Sequence, residues 1–130
     1  MGGGGKKRTP RLAATYADEF NLPFASLDAT REQFGRVREA CGRTGRELVL
    51  SAAQVLCCGR DDAEIACRAA AIGREPGELR ANGLAGTPAE LVEKIGRFAE
   101  VGATRLYLQV LDLSDLDHLE LVAAQVMPQL

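Results

Sequence analysis

The segment Leu48–Cys57 constrains the fold of this chain more than any other. It reads Leu-Val-Leu-Ser-Ala-Ala-Gln-Val-Leu-Cys, a nearly continuous run of apolar and small residues. A strand with one face in water alternates apolar and polar residues, whereas a strand covered on both faces does not. The run therefore predicts a buried strand of the kind found in parallel sheets.

The segments around this strand alternate between helical and extended patterns. Strands that alternate with helices imply right-handed crossovers onto a parallel sheet. Three strands and five helices are about half of a (β/α)8 barrel, whose usual length is about 250 residues. Short strands are predicted at Phe20–Phe24 and Arg105–Leu111. The first helix is predicted to begin with Thr9 as its N-cap and Pro10 as its first helical residue. Further helices are predicted at Asp28–Cys41, Asp61–Ile72, Thr87–Gly102 and Leu116–Met127. Between the third and fourth helices, Gly73–Gly86 is predicted to be a polar connection with a short helical turn.

Length and charge limit the classes of function. A chain of 130 residues with 46% hydrophobic content predicts one domain. Sixteen lysines and arginines against eighteen acidic residues give a net charge of −2, and the arginines are spread among acids on helical faces. This pattern predicts solvated ion pairs and no nucleic-acid partner. No apolar run approaches the ~20 residues of a membrane span and no leader is recognisable, so the expected location is the cytoplasm.

Cysteine and histidine usage gives no indication of a metal or of a disulfide framework. Cys41, Cys57, Cys58 and Cys67 have no CxxC spacing, and His118 is the only histidine. Buried, reduced thiols are favoured over disulfides, and a metal site is not expected.

Two acidic clusters resemble catalytic groups but have a simpler explanation. Ser114, Asp115, Asp117 and His118 lie close together at a predicted helix start, where an N-cap and first-turn acids are favoured by the helix dipole. A catalytic triad is disfavoured there. Asp61 and Asp62 are likewise expected to be first-turn acids and not an acid/base pair.

The chain opens with four glycines followed directly by a predicted helix. Unhindered glycine amides and the positive end of a helix together favour an anion such as phosphate. The alternative is a flexible tail or a cloning remnant. A Walker-type nucleotide loop is excluded because Lys6 is followed by Lys7 and not by Ser or Thr.

The residues after the glycines resemble a known family. Arg8–Asn21 reads RTPRLAATYADEFN, which is similar to the phosphate-loop helix of luciferase-like monooxygenases, with its GGxG turn, LAARYAD helix and aromatic-Asn pair. Gly83–Gln109 resembles the GTPEEV…EKI…YxExGxxRxxLQ passage of the last barrel strand in these oxidoreductases, particularly those that use the deazaflavin coenzyme F420. Two departures are Thr15 in place of the usual arginine and Lys6-Lys7 in place of an acidic residue.

The resemblance implies a flavin- or F420-dependent oxidoreductase whose site lies at the C-terminal mouth of a (β/α)8 TIM-type barrel. FMN or F420 would be the cofactor, a small organic compound the substrate, and the chemistry hydride transfer or oxygen insertion. Asn21, Cys58 and Gln109 lie at or near predicted strand ends and could line this mouth, but ordinary barrel packing or loop hydrogen bonding is favoured for each. Catalytic residues cannot be assigned from the sequence. The residues implied to hold the cofactor phosphate are Gly2, Gly3, Gly4 and Gly5, with Thr9 capping the helix beneath them.

Two hypotheses follow for the whole chain. In the first, residues 1–130 are a single partial barrel domain from the C-terminal portion of such an enzyme, with residues 1–8 a remnant of the phosphate loop and 9–130 the alternating helices and strands. In the second, the chain is an inactive half-barrel that dimerises as a binding or structural module. An open half-barrel exposes sheet edges and apolar surface, so both predict a homo-oligomer or another partner.

Overall fold

The computed structural model describes all 130 residues and contains four strands and six α-helices. The strands are β1 (Glu19–Pro23), β2 (Val49–Cys58), β3 (Leu84–Gly86) and β4 (Arg105–Gln109). The helices are α1 (Arg8–Tyr16), α2 (Leu27–Thr44), α3 (Asp62–Ala71), α4 (Pro76–Asn82), α5 (Pro88–Glu100) and α6 (Leu116–Gln125), followed by a short 3-10 helix, Met127–Gln129.

Local sequence signals determine most helix ends. The Ser26 hydroxyl accepts the Ala29 amide at 3.2 Å to begin α2, and Gly45 ends that helix with φ of 72°. A residue in this left-handed conformation is a common helix terminator, and glycine adopts it without strain. Asp115 caps α6 through its carboxylate, which fits the predicted cap and first-turn acids. Asp61 was predicted to be a first-turn acid but is the N-cap of α3, where its carboxylate accepts the Glu64 amide.

The start of α1 differs from the prediction. The helix begins at Arg8 with Lys7 as the N-cap, so Thr9 lies inside the first turn and caps nothing. The reason is the path of the glycine turn, which lets the Lys7 carbonyl accept the Arg11 amide at 3.4 Å. The Thr9 side chain instead lies against the turn, next to Gly3 and Gly5.

The chain forms two compact units, and β2 contributes its first half to one and its second half to the other. The first unit comprises Met1–Ala53 and Arg97–Tyr107. In it β1 and β2 are parallel, with Glu19 opposite Val49 and Pro23 opposite Ala53. Its buried core packs α1 and α2 against these strands and consists of Ala13, Phe20, Leu22, Phe34, Val37, Leu50 and Val101.

The second unit comprises Gln54–Gly96 and Leu108–Leu130. In it β2 and β3 are parallel, with Leu56 opposite Leu84 and Cys58 opposite Gly86. The polar connection predicted up to Gly86 is therefore wrong at its end, because a strand of three residues is too short to show a period. Its core consists of Val55, Cys57, Ile65, Ala69, Leu79 and Ala85.

Candidate functional site: the glycine turn and the end of strand β2

The glycine run is an ordered turn that is tied to β1. Gly2 forms a parallel bridge with Asn21, and the Asn21 amide donates to the Met1 carbonyl at 2.7 Å. The terminal ammonium of Met1 donates to the Glu19 carbonyl at 3.1 Å. These bonds place the turn beside β1 and directly before α1, the arrangement that a phosphate loop requires.

Gln33 holds the turn in place from α2. Its side-chain amide nitrogen donates to two carbonyls of the turn, Gly3 at 3.1 Å and Gly5 at 2.9 Å. Its side-chain oxygen accepts from Arg36 at 3.1 Å. Gln33 is only 2% exposed, so it is a buried polar bracket whose hydrogen-bonding groups are satisfied.

Sequence reasoning missed Gln33, although a signal for it exists. Gln33 lies beside Phe34 and four residues before Val37 on the apolar face of α2. A polar residue on an otherwise apolar helix face needs a buried partner. The sequence could have identified Gln33 as a residue with such a partner, but not that the partner is the glycine turn.

The turn requires glycine at three of its positions. A Cβ on Gly2 would overlap the backbone carbonyl of Asn21. Gly3 has φ of 130°, a conformation that residues with a side chain rarely adopt. A Cβ on Gly5 would overlap the Thr9 hydroxyl, so the turn lies directly on the first turn of α1. Gly4 is open, with no atom within 4 Å of a Cβ built there. The turn thus presents backbone outward at Gly4.

Three consecutive backbone amides of the turn are free to donate. Gln33 occupies the carbonyls of Gly3 and Gly5, while the amides of Gly4, Gly5 and Lys6 donate to no group in the chain. The first turn of α1 contains no acidic residue and has no side-chain cap. Free amides at the positive end of a helix bind anions, so the geometry fits a phosphate group.

Charge around the turn departs from the sequence expectation. Three of the four arginines of α2 form the predicted surface pairs, with Asp28, Glu32 and Glu39. The cations Lys6, Lys7, Arg8 and Arg11 form no ion pair at all. The net charge of the whole chain conceals this local excess, because net charge averages over faces that the fold keeps apart.

The end of β2 forms a second cluster of titratable groups. The Cys58 amide donates to Nε2 of His118 at 2.8 Å, and the Cys58 carbonyl accepts from Arg68 at 2.9 Å. An accepting Nε2 means that His118 is neutral, and burial lowers its pKa from the ordinary value. Burial also raises the pKa of the Cys58 thiol to about 11, so Cys58 is not an activated nucleophile.

Arg68 connects this cluster to the start of α6. It donates to Asp115 at 2.8 Å and to Asp117 at 2.9 Å, and it also pairs with Glu64. Hydrogen bonds from Arg60 and Arg68 lower the pKa of Asp117 to about 2. Asp115 caps α6 by accepting the His118 amide at 3.1 Å. The expectation of a cap and first-turn acids is confirmed, and the carboxylates are engaged with arginines.

The three residues predicted near strand ends lie in different settings. Asn21 is in the middle of β1, where its side-chain amide donates to the Ser51 hydroxyl at 3.0 Å. Cys58 is the last residue of β2 and is fully buried. Gln109 ends β4 and is exposed. For Asn21 and Cys58 the packing explanation agrees with these contacts.

All four cysteines are free thiols. Cys57 and Cys58 are buried as expected, but Cys67 is exposed, so burial was wrong for that residue. No group of three or more His, Cys, Asp or Glu side chains is placed to hold a metal ion. None of the helices combines the length and apolar character needed to cross a membrane.

No protein-family model and no curated protein matches the chain. Solved structures do. An F420-dependent secondary alcohol dehydrogenase, in complex with an F420-acetone adduct, matches with a TM-score of 0.77 and 14% identity over 98% of this chain and 47% of that chain. The F420-dependent tetrahydromethanopterin reductase of Methanopyrus kandleri matches with a TM-score of 0.74 and 16% identity, over 98% of this chain and 49% of that chain. The oxygenating constituent of 3,6-diketocamphane monooxygenase from Pseudomonas putida, in complex with FMN, matches with a TM-score of 0.72 and 18% identity, over 99% of this chain and 48% of that chain.

This chain has the fold of about half of a (β/α)8 barrel. It spans about half the length of the solved structures it matches. The α/β class with parallel strands, predicted from the alternation of strands and helices, is thereby confirmed. Identities of 14% to 18% establish the fold and leave the chemistry of this chain to be argued from its own residues.

Proposed function

We propose that the chain is part of a luciferase-like oxidoreductase and that its glycine turn holds the phosphate of FMN or of coenzyme F420. The observation that carries the proposal is the set of unpaired amides at Gly4, Gly5 and Lys6, directly before the uncapped start of α1. Structures with this fold contain F420 or FMN, which supports a cofactor of that class.

The residues of this chain have a binding and orienting role in the proposal. Gln33 fixes the turn, the amides of Gly4 and Gly5 donate to the phosphate, and Lys6 adds positive charge. Thr9 supports the turn from below and does not cap α1. When bound, the cofactor ring supplies hydride transfer or oxygen insertion on a small organic substrate. The proposed location of the protein is the cytoplasm.

A titration of the purified chain with FMN and, separately, with F420 tests the proposal. The variant Gly4→Asp adds a negative charge where a side chain has room, so it weakens phosphate binding and leaves the fold intact. Gly35→Asp is the matched control, because Gly35 lies exposed on α2 with equally open space. We expect saturable binding by the wild type and by Gly35→Asp, and about tenfold weaker binding by Gly4→Asp. No binding of either cofactor, or equal binding by both variants, would refute the proposed site.

A second function, self-association as a half-barrel module, is favoured by one surface. Exposed apolar residues follow one face of α6 and continue into the short 3-10 helix after it, at spacings of three and four, namely Leu116, Leu119, Ala123 and Met127. Leu113, just before this helix, is 82% exposed. A contiguous apolar face of this kind is typical of an interaction surface. Light scattering on wild type and Leu119→Glu decides the point: a dimer converted to a monomer supports the module, and a wild-type monomer excludes it.

A further inference from the structure

A basic groove runs along α1 and α2 in the first unit. The two helices lie side by side in the same direction, because Gln33 contacts the turn before α1 and Thr44 donates to the Ala14 carbonyl at 3.0 Å. The groove has a volume of about 850 Å³. Its cationic lining residues are Lys6, Lys7, Arg8, Arg11, Arg36 and Arg43.

The charge of the groove is only partly neutralised by the protein: Arg36 pairs with Glu32 at 3.1 Å, whereas four other cations have no counter-charge. Glu39 is the only carboxylate in its lining, and Arg43 already pairs with it at 2.5 Å. The four cations contributed by residues 6–11 have no ion pair anywhere in the chain. Like charges on one surface repel one another where counter-charges are lacking. An anionic ligand relieves this repulsion.

The spacing of the cations indicates the shape of the ligand. Arg36 and Arg43 lie about 10 Å apart along α2, at about 1.5 Å per residue. Lys7 and Arg11 are one helical turn apart on the opposite wall. A single compact anion contacts one end of such a groove, whereas a linear chain of negative groups pairs with cations along its length.

We propose that the α1–α2 groove binds a small linear polyanion, that is, a chain of several phosphate or carboxylate groups. A nucleic acid fits the groove less well, because no aromatic side chain lines it for base stacking. The groove shares Lys6 with the phosphate site proposed at Gly4 but extends beyond it along α1 and α2, and binding there does not depend on a flavin-type cofactor. The negative groups of the ligand accept hydrogen bonds from the cations of both helices and form ion pairs with them.

Calorimetric titrations with tripolyphosphate and with tri-glutamate test the inference, since they separate phosphate from carboxylate ligands. Inorganic phosphate is the monomeric comparison and a single-stranded oligonucleotide is the nucleic-acid comparison. We expect tripolyphosphate, tri-glutamate or both to bind about tenfold more tightly than inorganic phosphate, and this binding to weaken as salt is raised. Absence of binding at low salt, or tighter binding of the oligonucleotide, would overturn the inference.

Paired charge-removal variants locate the site. Arg8→Gln with Arg11→Gln removes two unpaired cations of the groove. The control, Arg31→Gln with Arg74→Gln, removes one exposed and one partly buried arginine outside the groove and changes the net charge equally. The groove variant is expected to lose about tenfold in polyanion affinity, with its melting temperature unchanged or raised because repulsion is relieved. Equal losses in both variants would mean that binding follows net charge and not the groove.

Cofactor titrations distinguish this inference from the proposed function. Gly4→Asp is directed at the turn and the Arg8/Arg11 variant at the groove. If the chain binds a polyanion but no flavin-type cofactor, the groove stands and the proposed function fails. If FMN binds equally well to the wild type and to the Arg8/Arg11 variant and no polyanion binds, the proposed function is supported and the groove inference fails.

Discussion

Gln33 is the residue whose replacement most directly tests how the glycine turn is held. Gln33→Met keeps the length and burial of the side chain but removes the amide that donates to the Gly3 and Gly5 carbonyls at 3.1 and 2.9 Å. Each hydrogen bond contributes about 0.5–1.5 kcal/mol net. The released carbonyls lie in an accessible turn and can be hydrated, so no further desolvation penalty applies. For the two bonds together, the expected loss is about 1–3 kcal/mol in the free energy of unfolding.

Urea denaturation followed by circular dichroism measures this loss, with an unchanged slope showing that the compactness of the two states is preserved. Glu32→Gln is the control: Glu32 is the neighbouring side chain, its only partner is Arg36 and its side chain is 70% exposed. The control is expected to change the free energy of unfolding by no more than about 0.5 kcal/mol. If Gln33→Met also changes the free energy of unfolding by no more than about 0.5 kcal/mol, the two hydrogen bonds from Gln33 do not stabilise the turn.

Three further perturbations probe other parts of the structure. Burial lowers the pKa of His118 in the folded state, so the unfolded state binds more protons. The free energy of unfolding therefore falls as the pH drops below the unfolded-state pKa of about 6.5. The urea midpoint of the wild type should decrease between pH 7 and pH 5, and the urea midpoint of His118→Gln should change less. Gly102→Ala should lower the free energy of unfolding, measured by thermal denaturation, by about 1–3 kcal/mol, because φ of Gly102 is 110° and the new Cβ would overlap the Arg38 guanidinium. Gly96→Ala is the control: Gly96 lies inside α5 with open space around it, so this change should be neutral or stabilising. Arg68→Met leaves three carboxylates at the start of α6 and in α3 without their shared partner and should cost about 2–4 kcal/mol; a loss no greater than that of an exposed helical pair would show that the network is not structural.

The sequence determined the elements of this protein because their signals are local. The continuous apolar run at Leu48–Cys57 predicts the buried strand, and the caps at Asp61 and Asp115 begin helices where side chain and backbone are three residues apart. The glycine turn was also identified from adjacent residues. Such signals lie within a few residues of the groups they affect, so they need no knowledge of the fold.

Only the tertiary structure decided which distant groups meet. Gln33 reaches a turn 28 residues earlier, and His118 accepts an amide 60 residues away. The basic groove exists because packing brings cations of α1 and α2 to one surface, which a net charge of −2 conceals. Periodicity places a side chain on a face of its own element, but the partner of that face is set by the packing of the whole chain.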